Sequence, residues 1–125
     1  MKNKGFTLRS RIRSFGYAFR GIKSLVTQEP NAWIHCCAAA CVIIAGGLLG
    51  LSRWEWVAVV IVIGAVLAAE AFNSAIEALS DLVSPGYNEA IKRTKDLAAG
   101  AVLLTAISAA IVGLIIFLPK IISIL

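Results

Sequence analysis

Three apolar runs, each long enough to cross a bilayer as a helix, constrain this chain more than any other feature. The first extends from about Trp33 to Leu51. Its 19 residues rise ~28 Å as a helix, close to the ~30 Å hydrocarbon thickness. The second begins at Trp54 and stays apolar through Ala69. It then continues as a helical pattern containing acids to about Val83, where Ser84-Pro85-Gly86 is a stop signal. The third runs from Leu97 to Leu118 without a charge, and Pro119 is expected to end it. Hydrophobic residues make up 59% of the chain and charged residues 15%, against roughly 25% charged in a soluble domain. A soluble enzyme and a disordered chain are therefore excluded. The three cysteines, Cys36, Cys37 and Cys41, all lie in the first run, which excludes a disulfide scaffold. The expectation is one all-α integral membrane domain over residues 1–125, with spans at about 33–51, 54–83 and 97–118.

Lys and Arg are unevenly placed. Seven precede the first run: Lys2, Lys4, Arg9, Arg11, Arg13, Arg20 and Lys23. Three more, Lys92, Arg93 and Lys95, follow the second, whereas the first loop holds only Arg53 and the C-terminal end only Lys120. The positive-inside rule puts the N-terminus and the 84–96 loop in the cytoplasm. The net charge of +5 is thus a topology signal rather than a nucleic-acid footprint. Trp54 and Trp56 then mark the outer interface and Trp33 the inner one. Ahead of the first span, Leu8, Ile12, Phe15, Phe19, Ile22 and Val26 recur at spacings of three and four. Arg9, Arg13, Arg20 and Lys23 lie largely off that stripe. An amphipathic helix over about 8–27, lying on the cytoplasmic membrane surface, is expected. The segment lacks the short apolar core and cleavage site of a signal peptide.

The second span carries an unusual polar stripe. At about 100° per residue, Glu70, Asn73, Glu77 and Asp81 fall within about 80° of arc. Running inward, the helix puts Glu70 in the inner leaflet and Glu77 ~10 Å closer to the cytoplasm. A carboxylate at membrane depth costs about 2.5 kcal/mol or more on insertion scales, and several on one face repel each other. They require a cation, a proton or basic partners. One reading has the helix already out of the bilayer by Glu77, with the lower acids paired to Lys92, Arg93 or the basic N-terminal helix. The other notes that Glu29, before the first span, and Lys95-Asp96, before the third, supply charge at the same depth. Carboxylates with an amide oxygen suit Mg²⁺, and nearby Lys or Arg suit a polyphosphate. A deep carboxylate can take a proton from a lipid alcohol. Together these groups fit phosphoryl transfer to a lipid hydroxyl, with any nucleotide held by side chains on helices, since no soluble-kinase glycine loop occurs. Two alternatives remain at this point. One is a proton-coupled transporter with Glu70 as relay; the other is a structural membrane partner assembling through its Gly and Ala faces.

The stretch Glu70-Ala71-Phe72-Asn73-Ser74-Ala75-Ile76-Glu77 resembles the E-x-x-N-S/T-A-I-E signature of the prokaryotic diacylglycerol kinase family. Lys95-Asp96-Leu97-Ala98-Ala99-Gly100-Ala101-Val102-Leu103 resembles its K-D-x-A-A-x-A-V-L segment. Glu29-Pro30-Asn31-Ala32-Trp33-Ile34-His35 is similar to the E-x-N-x-x-I-H pattern of the undecaprenol kinase branch, as is Gly113–Lys120. The resemblance covers essentially residues 8–120. It implies a homotrimer of three-span subunits with an N-terminal amphipathic helix and composite active sites at the cytoplasmic face of the bacterial inner membrane. It implies γ-phosphoryl transfer from MgATP to a primary lipid alcohol: undecaprenol, or alternatively diacylglycerol. By the same resemblance Glu70 is the general base on the lipid hydroxyl, and Glu29 and Glu77 hold Mg²⁺ with the ATP phosphates. Asn73 assists near the phosphates, Lys95 contacts phosphate, and Asp96 contacts the nucleoside end. Arg13 and Tyr17 lie where the family's N-terminal helix covers the nucleotide. Asn88, after Tyr87, departs from the histidine common in the family, and Ile91-Lys92-Arg93-Thr94 matches the usual A-K-x-A only in part.

Other features carry less chemistry. His35, the single histidine, is read either as an interfacial hydrogen-bonder or as a substrate-site residue. The three cysteines on one transmembrane helix cannot close a normal disulfide with one another, because Cα spacing and side-chain vectors are wrong, and are read as packing. Gly46 with Gly50, and Ala109 with Gly113, form small-xxx-small pairs suited to close helix packing. Glu55-Trp56 matches a pair common in the family's outer loop and is given no chemical role.

Overall fold

Helix signals in the sequence place four helices in the computed structural model, which describes residues 5–125. Lys2 and Lys4, counted in the charge asymmetry, lie outside the described residues. Helix α1, Leu8–Gln28, is capped by Thr7, whose hydroxyl accepts from the Ser10 N–H at 3.1 Å. Glu29 is extended (φ −109°) and separates α1 from α2, Pro30–Leu49. Pro30 opens α2 at a position where a missing N–H leaves nothing unsatisfied. Trp33 does more than mark an interface. Its indole N–H donates to the Val26 carbonyl at 2.8 Å, satisfying one of the last carbonyls of α1. A single side chain thus ties α1 to α2.

Gly50, with φ 75°, ends α2 in the left-handed region that favours glycine. Ser52 and Glu55 then form a reciprocal capping box that starts α3, Arg53–Val83. The expected pairing of Gly46 and Gly50 as a helix-packing motif is not what the hairpin uses. Gly46 instead makes room for the Trp56 indole and Leu51: a Cβ added there would meet each at 2.8 Å. Gly50 shapes the turn. A Cβ on Gly113 would meet nothing within 4 Å, so its small size leaves open space rather than a close contact within this chain.

Helix α3 has 31 residues and rises ~46 Å; α4, Glu89–Ile124, has 36 and rises ~54 Å. Both exceed the hydrocarbon thickness, and α4 packs chiefly on α3. Three of the four helices, α2, α3 and α4, are long and apolar enough to span a membrane. The antiparallel α3–α4 pair is pinned at both ends. Lys120 meets Glu55 at 3.1 Å, and Lys95 meets Asp81 at 2.7 Å. Glu55 and Asp81 are ~39 Å apart along α3, so the two ion pairs bracket a ~30 Å apolar core and sit in the polar layers outside it. Most large apolar side chains on these helices are exposed within the chain. Lipid or protein, rather than water, is the surrounding such a surface requires.

Two boundaries differ from expectation. Pro119 does not end the third helix; α4 continues to Ile124 with Pro119 inside it. Proline removes one backbone donor, but the helical bonding continues on either side of it. The Glu55–Lys120 pair also holds the residue after Pro119 in place. At its other end α4 begins eight residues before the apolar run. Asn88 caps it, its Oδ1 accepting from the Ile91 N–H at 3.1 Å. Lys92, Arg93 and Lys95 are therefore on the first turns of α4, not in a loop, and the loop is confined to residues 84–88.

Candidate active site

The polar stripe of α3 emerges from burial step by step. Glu70 is 2% exposed, one of the few buried side chains in the chain. Asn73 and Glu77 are half-buried, and Asp81 is exposed. These residues share a face because of the helical period, but they meet different neighbours.

At the deep end, Glu70 Oε1 lies 3.2 Å from His35 Nε2. His35 is one and a half turns into α2, so the contact joins the first and second spans. Both residues border an open groove between α2, α3 and α4, lined also by Asn31, Asn73, Ala99 and Val102. His35 also borders a second, apolar groove extending away from Glu70 along Ala38, Val42, Val59, Ile63 and Gly113. Asn73 Oδ1 is buried and has no hydrogen-bond partner among the described residues. Such an acceptor is costly to leave unpaired and is an open valence for a ligand or cation.

At the shallow end, Lys95 is shared between two acids: Asp81 Oδ1 at 2.7 Å and Glu77 Oε2 at 3.6 Å. Asp96 pairs instead with Lys92 at 2.7 Å, one helical turn away. Lys95, Asp96, Asp81 and the 84–88 loop line one polar pocket. The expectation that the lower acids pair with Lys92, Arg93 or the N-terminal helix is met differently, because the α3–α4 register puts Lys95 opposite Asp81.

Glu29 stands apart from both ends. It lines a groove between α1 and α3 whose walls are small: Ala18, Gly21, Ala71, Ser74 and Ala78. Arg13 and Tyr17 are exposed on α1. Arg20 stacks over the Tyr17 ring at 4.9 Å. The chain therefore brings together His35, Glu70 and Asn73, and separately Glu77, Asp81, Lys95 and Asp96. It does not bring Arg13, Tyr17 or Glu29 into contact with the α3–α4 charges. Two contacts were not foreseen: His35 with Glu70, and Glu55 with Lys120. The signal for the second was present, since nearly equal separations along antiparallel helices bring Glu55 opposite Lys120 once Asp81 pairs with Lys95.

A buried carboxylate facing a groove, with a polar pocket about three turns farther along α3 that carries Lys92 and Lys95 beside Asp81 and Asp96, fits proton removal from a lipid alcohol beside bound phosphate. Comparison with known proteins agrees. Residues 16–117 match the family model described as prokaryotic diacylglycerol kinase. The chain is 41% identical over 109 residues to the undecaprenol kinase of Bacillus subtilis, a match covering 87% of this chain and 89% of that protein. It is 38% identical over 113 residues to a diacylglycerol kinase of Synechocystis sp., covering 90% of this chain and 65% of that protein. The diacylglycerol kinase of Escherichia coli is 28% identical over 100 residues, covering 80% and 82%. Between a lipid kinase and a proton-coupled transporter, these matches decide for the kinase. The chain belongs to the prokaryotic diacylglycerol kinase family and is a lipid kinase.

Proposed function

We propose that this kinase transfers the γ-phosphoryl group of MgATP to the primary hydroxyl of undecaprenol. The observation that carries the reaction is Glu70: a carboxylate buried among apolar helices, opening on a groove that a lipid can enter sideways. The choice of undecaprenol is supported by the 41% identity to the Bacillus subtilis enzyme, which extends over nearly the whole of both chains. In this reading the active site faces the cytoplasm at the bacterial inner membrane, with α1 on that face, which the Lys/Arg asymmetry supports. The working form is a homotrimer, in which Glu29, Arg13 and Tyr17 contribute to sites completed by neighbouring copies.

Glu70 accepts the hydroxyl proton as the oxygen attacks phosphorus, with His35 beside it near the lipid headgroup. Lys95 neutralises phosphate charge, and Asp96 contacts the nucleoside end. Arg13 and Tyr17 on α1 close over the nucleotide. Charge neutralisation and alignment are what phosphoryl transfer demands of the protein. Glu29, Glu77 and the unpartnered Asn73 oxygen are hard oxygen donors of the kind Mg²⁺ takes. Among the described residues no three acidic, His or Cys side chains gather in one place. Donors so spaced would hold Mg²⁺ together with ATP phosphate oxygens, as the family resemblance implies for Glu29 and Glu77. Bound there, Mg²⁺ supplies charge stabilisation to the phosphates.

The test is transfer of radiolabelled phosphate from ATP in mixed micelles, with undecaprenol and diacylglycerol offered separately. A much higher kcat/KM for undecaprenol is expected. Preference for diacylglycerol would make the chain a phosphatidate-forming kinase and overturn the substrate assignment.

A further inference from the structure

Glu70 has a long side chain, and a buried base acts only if one oxygen is held within hydrogen-bond reach of the substrate hydroxyl. What fixes it is therefore a question for its neighbours. Glu77 and Asp81 share a lysine. Among the described residues no Lys or Arg pairs with Glu70; its partner is the His35 imidazole, at 3.2 Å. The Glu70 side chain is 3% exposed and that of His35 25%. The imidazole and the carboxylate thus line the open groove side by side, the imidazole the more exposed of the two. A lysine there would hold the carboxylate but also quench its basicity with a full charge. A neutral imidazole donating from Nε2 fixes the same oxygen with a dipole.

We propose that His35 is a positioning residue for the reaction, acting through Glu70 rather than on the lipid. The inference rests on the reading of Glu70 as the base. Nε2–H donates to Oε1 and orients the carboxylate, leaving Oε2 for the alcohol. In the step it serves, the alcohol O–H proton passes to Oε2 while oxygen bonds to the γ-phosphorus. The bond from that phosphorus to the β–γ bridging oxygen breaks, and ADP leaves with the electron pair. His35 neither gains nor loses a proton.

The experiment compares His35→Leu and His35→Gln, each alone and in a Glu70→Gln background, with both lipids offered to the full-length protein in mixed micelles. Loss of a hydrogen bond to a charged group predicts a kcat about 10- to 100-fold lower for His35→Leu. KM for lipid and for MgATP should stay within about threefold, since ground-state binding is untouched. Gln carries an N–H donor of similar reach, so His35→Gln should recover most of the lost kcat. In the Glu70→Gln background, His35→Leu should lower the residual rate no further. Raised lipid KM at unchanged kcat would overturn the proposal and make His35 a lipid contact. So would a loss that Gln does not recover, or losses that simply multiply across the two sites. A wild-type protein that phosphorylates neither lipid would remove the proposed reaction, and this inference with it. An active wild type with an unaffected His35→Leu variant removes this inference alone.

Discussion

Replacing Glu70 by Gln separates catalysis from folding, because the two respond in opposite directions. Glu70 lies ~24 Å below Trp54 along α3, inside an apolar layer of ~30 Å. Its side chain is 2% exposed at residue level, so water does not solvate the charge. An ionised carboxylate costs about 2.5 kcal/mol or more at the bilayer centre and less toward the inner interface, so off-centre at Glu70 the amide avoids up to about 2.5 kcal/mol. The amide oxygen can still accept from His35 Nε2 at 3.2 Å. Exchanging a charge-assisted for a neutral hydrogen bond gives back about 1 kcal/mol. The net effect on stability is therefore zero to about 1.5 kcal/mol of stabilisation, with ATP binding and assembly retained. Turnover behaves differently. The amide cannot take the hydroxyl proton, and loss of a general base lowers the rate about 10²- to 10⁴-fold. One preparation of each protein serves both measurements: kcat at saturating MgATP and lipid, and reversible unfolding in mixed micelles. A kcat within tenfold of wild type would refute the base assignment. A variant destabilised by more than about 2 kcal/mol would refute the buried-charge reasoning instead, since Gln would then be breaking a required ion pair.

Three further outcomes follow from the same geometry. Glu77→Ala should raise the Mg²⁺ concentration for half-maximal activity and the KM for MgATP; an unchanged metal titration would take Glu77 out of the cation site. Lys95→Met should raise the KM for MgATP at least about tenfold while moving the unfolding midpoint little, because its partner Asp81 is well exposed. A large loss of stability with unchanged KM would make Lys95 purely structural. Gly46→Ala should destabilise by about 1 kcal/mol, the strain of overpacking being partly offset by better helix propensity. The added Cβ must displace the Trp56 ring and Leu51 from 2.8 Å; a more stable variant would show that they move freely.

The spans were legible because their signal is local. An apolar run of bilayer length and a Ser-Pro-Gly stop declare themselves without reference to the rest of the chain. The polar stripe of Glu70, Asn73 and Glu77 was legible in the same way, since helical period is read along α3 alone; Glu29, on another segment, lines a separate groove. The helix ends were harder. Asn88 looked like a departure from a family pattern, yet it is a side-chain cap that extends α4 well outside the apolar run. Pro119 reads as a terminus because proline lacks the backbone donor a helix uses, and the Glu55–Lys120 contact that holds the next residue is tertiary and invisible in that local signal.

Pairings between helices were the least legible, because they depend on how far one helix slides past another. That register is a tertiary quantity. Periodicity says that Glu70 and Asp81 share a face of α3, but not which residue stands opposite each. Sliding α4 by one turn would move Lys95 about 5 Å from Asp81 and part Lys120 from Glu55 as well. The two ion pairs therefore support each other, and both lie where charge is tolerated, beyond the apolar layer. Between them α3 carries two charges, Glu77, which Lys95 also approaches, and Glu70, which no Lys or Arg meets among the described residues. A chain needing only to span the membrane would have no use for that carboxylate, and its burial against the sole histidine is the feature that function, rather than folding, explains.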